Sequence, residues 1–207
     1  DEAAIPITNS SDLFTNINML VTSDTAHPLV WIRNSLKNSL PSLTFVIGGA
    51  ASGKSRYAES LCISSSLERV YLATSQVYDA EMAAKVSKHV AQRGAGWRTI
   101  EAPVDLAPTL TEAKAGEVVL LDCLTLWLTN VILGDYDLSE ETSRLLSALD
   151  ACNAAVVVVS NEVGLGIVPE NALARRFRDE AGALNQKLAQ VAERVVLVTA
   201  GLPLQLK

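Results

Sequence analysis

The sequence predicts an α/β fold, a mostly parallel sheet with helices on both faces. Three observations predict it. Beyond residue 42, short β-rich runs alternate with helical patterns. Several of those runs are apolar throughout, as strands are when both faces are covered. The composition also suits an aliphatic core: of 207 residues, 49% are hydrophobic and only 5% are aromatic.

Residues 1–42 stand apart from the alternation. Fifteen of these 42 are Ser, Thr or Asn, a density at which side-chain turn chemistry competes with regular structure. Ile17–Val21 and Leu29–Ile32 read as strands or docking segments. The segment is expected to be an irregular N-terminal extension, and a gene-start artefact reads equally well. The domain proper is expected over 43–207. It opens with a strand at Leu43–Ile47, a loop at Gly48–Ser52 and a helix from about Lys54 to Ser64. A strand at Val70–Thr74 comes next. A helix over Ala80–Arg93 follows, with Met82, Val86 and Val90 on one face. Val118–Asp122 and Val156–Ser160 are core strands. A long helix after Pro169 is expected to bury Leu173, Phe177, Leu184, Leu188 and Val191. Val195–Thr199 is the last core strand, and Leu202–Lys207 folds back as an antiparallel edge strand.

Several classes are excluded. Seventeen basic against 23 acidic residues give a net charge of −6, which argues against a generally basic nucleic-acid binder. Three scattered cysteines without a CxxC pair, and two histidines, support neither a disulfide framework nor a zinc site. No run reaches the ~18 apolar residues of a membrane helix, since Met19–Ile32 is broken by Asp24, His27 and Pro28. No basic leader precedes an apolar run at Asp1-Glu2, so no signal peptide is visible. The expectation is a cytoplasmic protein with reduced thiols and no membrane insertion.

The strongest local signal is Gly48-Gly49-Ala50-Ala51-Ser52-Gly53-Lys54-Ser55, which fits GxxxxGK[ST] between an apolar strand and a helix. Glycines let backbone N–H groups close around a phosphate, and the helix start adds a positive dipole end. Lys54 is expected to reach the β and γ phosphates, and Ser55 to ligate Mg²⁺. The fold is therefore of the P-loop NTPase type. A second metal carboxylate is needed at another strand end, and Asp122 suits it if the two strands are neighbours; a helix cap or turn is its plain alternative. Thr74, Asn161 and Glu162 also lie just past strand ends.

Glu81, Lys85, His89 and Arg93 recur every four residues on the face opposite Met82, Val86 and Val90. The plain reading is a solvated face of ion pairs. The chemical reading makes a neutral imidazole the nucleophile on a nucleotide α-phosphate, with Lys85 and Arg93 stabilising phosphate charge. His27 has no comparable setting.

These residues together resemble a known family. The likeness runs from about Phe45 to Lys207, through Gly48–Glu59, Tyr71–Gln76 and Asp79–Lys85, with His89, Arg93 and Trp97–Glu101 in register. It continues through Leu120–Thr125, Thr129-Asn130, Ser160–Glu170, Leu173–Asp179 and Gly182–Gln186. The chain resembles the bifunctional adenosylcobinamide kinases / adenosylcobinamide-phosphate guanylyltransferases of cobalamin biosynthesis. The resemblance implies phosphorylation of adenosylcobinamide by ATP or GTP. It then implies transfer of GMP from GTP, through a guanylylated His89, to the phosphate, with release of pyrophosphate. It implies a RecA-like sheet, Mg²⁺ and a homo-oligomer, a trimer. Thr74, Ser75 and Asp122 join the loop residues Gly48–Ser55 as nucleotide-binding, and Glu101 falls on a carboxylate suited to the guanosine. Lys54, Lys85, Arg93 and Arg98 are expected to gather around the triphosphate. The corrinoid is expected in a surface groove near Gly164–Pro169. This chain has Ala51 where many relatives have Arg, and Lys88 where some have a second histidine. A single-activity small-molecule kinase and a non-catalytic nucleotide-binding regulator are the rival readings.

Overall fold

The computed structural model describes residues 40–76 and 93–207. The segments Ile17–Val21 and Leu29–Ile32, His27, and the stripe with Glu81, Lys85 and His89 lie outside the described residues. Arg93, the last member of that stripe, is described and helical.

Among the described residues seven strands form one sheet. They are β1 (Leu43–Gly48), β2 (Glu68–Ala73), β3 (Trp97–Glu101), β4 (Glu117–Asp122), β5 (Ala155–Asn161), β6 (Arg194–Thr199) and β7 (Leu202–Gln205). The order across the sheet is β3-β2-β4-β5-β1-β6-β7. All pairings are parallel except β6 with β7. The connecting helices are α1 (Lys54–Ser64), α2 (Ala107–Glu112), α3 (Leu124–Leu133), α4 (Leu138–Asp150) and α5 (Ala172–Val191).

Strand alternation explains why the central strands are apolar at every position. Phe45, Val119, Leu121, Val156 and Val158 face one layer, where they meet Leu110, Trp127, Leu145 and Leu184. Val46, Val118, Leu120, Val157 and Val159 face the other, where they meet Ala58 and Cys62 of α1. Each strand residue thus enters a core, on one side or the other.

The structure corrects the sequence reading in three places. β1 and β4 are not neighbours, because β5 lies between them. On α5, Leu184 and Leu188 are buried, but Leu173 is 49% and Val191 53% exposed. Burial along α5 begins at Ala181, well past Leu173, and at the far end Ala192, 1% exposed, enters the core in place of Val191. β3 and helices α2 to α4 are additions that periodicity did not reveal. Among the described residues no helix is long and apolar enough to cross a membrane.

Candidate functional site

In a parallel sheet the strand ends converge on one edge, and Gly48, Thr74, Asp122, Asn161 and Glu162 end or follow strands there. β1 delivers Gly48 there. A Cβ on Gly48 would lie 2.5 Å from the Val198 carbonyl oxygen and 2.6 Å from Ser52 Oγ, so only glycine fits. Gly53 takes φ 92°, and Ala51 also has a left-handed φ of 54°. The Ser52 carbonyl accepts from the Gly201 N–H at 2.8 Å, which ties the loop to the β6–β7 turn. Ser52 Oγ is buried and has no hydrogen-bond partner. Lys54 and Ser55 open α1, whose first turn carries no acidic residue, so its positive end is left for an anion. Lys54 Nζ donates to the Gly49 carbonyl at 3.1 Å. Burial pulls the Lys54 ammonium below the usual lysine value, and the nearby Cys123 and Asp122 pull the other way. Asp122 thus acts on Lys54 through its charge, although two strand spacings, about 10 Å, separate their strands.

Asp122 ends β4 and is held from β2. The Tyr71 hydroxyl donates to Asp122 Oδ2 at 3.3 Å. Burial, with the Asp122 charge, raises the pKa of the phenol well above the ordinary tyrosine value, so it stays protonated and a donor. The Arg93 guanidinium lies 3.4 Å above the Tyr71 ring, and Trp97 meets the same ring edge-on. Thr74 is fully buried. Its hydroxyl donates to the Cys123 carbonyl at 2.8 Å and accepts from the Cys123 N–H at 2.9 Å. Asn130 of α3 donates to the Thr74 and Pro103 carbonyls. The Asp122–Cys123 peptide bond is cis. Thr74 thus holds the turn after Asp122, and burial keeps the Cys123 thiol protonated, its pKa pushed up to about 11.

β5 ends between these two groups. Asn161 lies opposite Gly48, and the Glu162 N–H donates to the Gly48 carbonyl at 3.0 Å. Thr125 Oγ at the start of α3 accepts from both the Asn161 N–H and its side-chain amide. From α5, the buried Asn185 accepts from Ser160 Oγ at 2.8 Å and donates to the Asn161 carbonyl. Two helices therefore fix this strand end. Beyond it the chain is irregular through Val163–Glu170. There it borders an apolar groove of about 480 Å³, lined by Ile132, Leu133, Val163, Leu173 and Phe177 among others. Leu165 and Ile167 on the same loop are 89% and 97% exposed.

Other expected residues separate. Ser75 follows Thr74 and is half-buried. Glu101 ends β3 on the outer side of the sheet, four strand spacings or about 19 Å from β1. Arg98 does not join the cluster. It pairs with Glu117 at 2.6 Å, at the opposite end of β4 from Asp122. Arg93 is buried against aromatic rings rather than solvated, and its Nη1 has no hydrogen-bond partner. Tyr71, Thr125 and Asn185 were not singled out by sequence, because each acts through a partner 24 to 51 residues away.

Among the described residues no group of three or more His, Cys, Asp or Glu is placed to hold a metal. Ser55 and Asp122 nonetheless fit Mg²⁺. They are hard oxygen donors at the carboxyl edge of the sheet, one at the start of α1 and the other at the end of β4, and Mg²⁺ takes most of its ligands from phosphates and water.

Comparison with known proteins agrees with this geometry. Residues 44–206 match the family described as cobinamide kinase / cobinamide phosphate guanyltransferase. The chain is 50% identical over 165 residues to the bifunctional adenosylcobalamin biosynthesis protein CobP of Pseudomonas aeruginosa, covering 78% of this chain and 95% of that protein. It is 44% identical over 181 residues to the bifunctional adenosylcobalamin biosynthesis protein CobU of Escherichia coli K12, covering 80% and 99%. A solved structure of a protein from Pyrococcus horikoshii OT3 is similar in fold alone, with a TM-score of 0.51 at 9% identity, covering 85% and 91%.

Proposed function

The chain belongs to the bifunctional cobinamide kinase / cobinamide phosphate guanylyltransferase family of adenosylcobalamin biosynthesis, and from that premise we propose how its residues divide the two reactions. The enzyme phosphorylates cobinamide and then transfers GMP to the phosphate formed. The observation that carries the division is the sheet edge itself. The phosphate loop, Asp122 and the Asn161–Glu162 end meet there, and an apolar groove adjoins them.

In the first reaction the loop Gly48–Ser55 cradles the triphosphate of ATP or GTP with its N–H groups and Lys54. Ser55 and Asp122 hold Mg²⁺, which when bound neutralises charge on the phosphates. Thr74 acts by holding the turn after Asp122, and Ser75 and Glu101 contact nucleotide further along the edge. The buried, unpartnered Ser52 hydroxyl suits a loop completed by an anion. In the second reaction His89 attacks the α-phosphate of GTP, releases pyrophosphate and carries GMP to the cobinamide phosphate. Only the side chain of a corrinoid need enter the edge, and its bulk lies along the groove by Val163 and Phe177.

Self-association, as a trimer, suits the exposed apolar side chains of β7 and its tail, where Leu202, Leu204 and Leu206 are 72%, 59% and 58% exposed. Residues 1–42 form an extension outside the catalytic domain at 43–207. This fits relatives that are covered almost end to end by about four-fifths of this chain. We place the enzyme in the cytoplasm, where its three unpaired thiols stay reduced. The test is direct. Cobinamide with ATP should give cobinamide phosphate, and adding GTP should then give cobinamide-GDP with one pyrophosphate released. ATP binding with no phosphorylated cobinamide would overturn the assignment.

A further inference from the structure

We propose that Glu162 is the general base of the phosphorylation step, and that the guanylyl transfer does without it. This rests on the two-reaction reading above. Three carboxylates among the described residues end strands at, or follow them onto, the carboxyl edge: Glu101 after β3, Asp122 after β4 and Glu162 after β5. Glu101 is about 19 Å from the phosphate-loop strand. Asp122 takes the Tyr71 hydroxyl and ends the next strand out from β5, where the metal ligand is assigned. Glu162 follows the strand paired directly with β1, and its own N–H is bonded to the carbonyl of Gly48, the first residue of the loop.

The side chain is set for contact with an acceptor. It is half-buried, and Oε1 accepts from the Gly164 N–H at 2.6 Å, which fixes the carboxylate and leaves Oε2 for a substrate hydroxyl. The next residue, Val163, lines the apolar groove. An acceptor lying in that groove would therefore present its polar end at Glu162, between groove and phosphate loop.

The chemistry assigns the carboxylate to one reaction only. In the kinase step the acceptor is a neutral alcohol. Its oxygen forms a bond to the γ phosphorus, its proton passes to Glu162, and the bond from γ phosphorus to the β–γ bridging oxygen breaks, leaving the nucleoside diphosphate. Glu162 then releases the proton to water. In the transfer step the acceptor is a phosphate ester that is already an anion, so no proton need be removed before attack.

Glu162→Gln separates the two. The amide oxygen can still accept from the Gly164 N–H, so the loop contact is kept while the proton acceptor is lost. The variant should lose cobinamide phosphorylation by about 10²-fold or more in kcat, with KM for ATP unchanged. It should still take label from GTP and pass GMP to cobinamide phosphate supplied from outside, at the wild-type rate. Glu162→Asp should retain part of the kinase rate and the acid limb of its pH profile, which the Gln variant lacks. Unchanged kinase activity in Glu162→Gln, or an equal fall in both half-reactions, would overturn the proposal. Wild-type protein lacking kinase activity would instead overturn the reading on which it rests.

Discussion

The two ends of β4 carry two carboxylates with opposite fates. Glu117 opens the strand and is buried. It takes the Lys114 N–H at 2.8 Å and pairs with Arg98 at 2.6 Å. The Lys114 hydrogen bond, then Arg98, lowers its pKa below the usual carboxylate value against the opposing effect of burial. Asp122 closes the same strand. The Tyr71 hydroxyl donates to its side chain, and its charge acts on the phosphate-loop lysine, itself engaged with the Gly49 carbonyl. The difference teaches that carboxylates of one strand take their roles from the sheet edge they reach, one beside Arg98 and one beside the phosphate loop. A carboxylate matched by a guanidinium and a backbone N–H serves the fold. A carboxylate oriented by a hydroxyl beside an anion-binding loop is the one we propose serves a cation.

The comparison breaks most visibly at Asp122. Asp122→Asn keeps the size and the Tyr71 contact but removes the charge. Cobinamide kinase activity should fall about 10²-fold or more, and added Mg²⁺ should not restore it. A steady-state rate within threefold of wild type would place the metal ligand elsewhere. Tyr71→Phe sharpens the same claim with a smaller effect. Loss of one orienting hydrogen bond at 3.3 Å should cost about 1 kcal/mol, read as a roughly fivefold rise in the Mg²⁺ needed for half-maximal rate, with melting temperature little changed. No shift in the Mg²⁺ titration would make Tyr71 a core residue only.

Arg98→Ala tests the other end and should be the smallest. The pair is partly exposed, so its removal should cost about 0.5–1 kcal/mol of stability and leave both half-reactions unchanged. The sign with pH follows from Glu117. Its folded pKa is depressed, so its contribution is full above the unfolded value of 4.5 and is lost as pH falls through the folded value. The wild-type and variant stability curves should therefore differ above pH 5 and converge in acid. A loss of kinase activity on Arg98→Ala would return this residue to the triphosphate cluster.

What the sequence made legible divides along the same physical line. Gly48–Ser55 is a local motif, and its chemistry depends on neighbours in sequence. The central strands were legible because both faces are covered, so their apolar runs are continuous. α3 (Leu124–Leu133) is apolar nearly all round, and such a run does not declare a helical period. β3 is a half-exposed edge strand with little contrast between its faces. Leu173 and Val191 of α5 follow the helical period yet stay half-exposed, because Ala181 to Ala192 make the contact with the core. Arg98 was misplaced because charge counting along a chain does not say which edge of a sheet a side chain reaches. Tyr71 and Asn185 are polar groups on otherwise buried elements. Their roles exist only once β2 meets β4 and α5 meets β5. Asp122 was expected as a carboxylate at a strand end on the condition that β1 and β4 are neighbours, and the structure puts β5 between them.

The division of labour between the phosphate loop and His89 is the central claim, and labelling tests it most directly. Wild-type protein and His89→Ala are incubated with GTP labelled in the α-phosphate, denatured and assayed for bound GMP, with cobinamide phosphorylation from ATP measured alongside. Wild-type protein should carry label that is acid-labile and base-stable. His89→Ala should carry none while still phosphorylating cobinamide at a rate within a few-fold of wild type. Label retained on His89→Ala, with the same acid and base behaviour, would contradict the account.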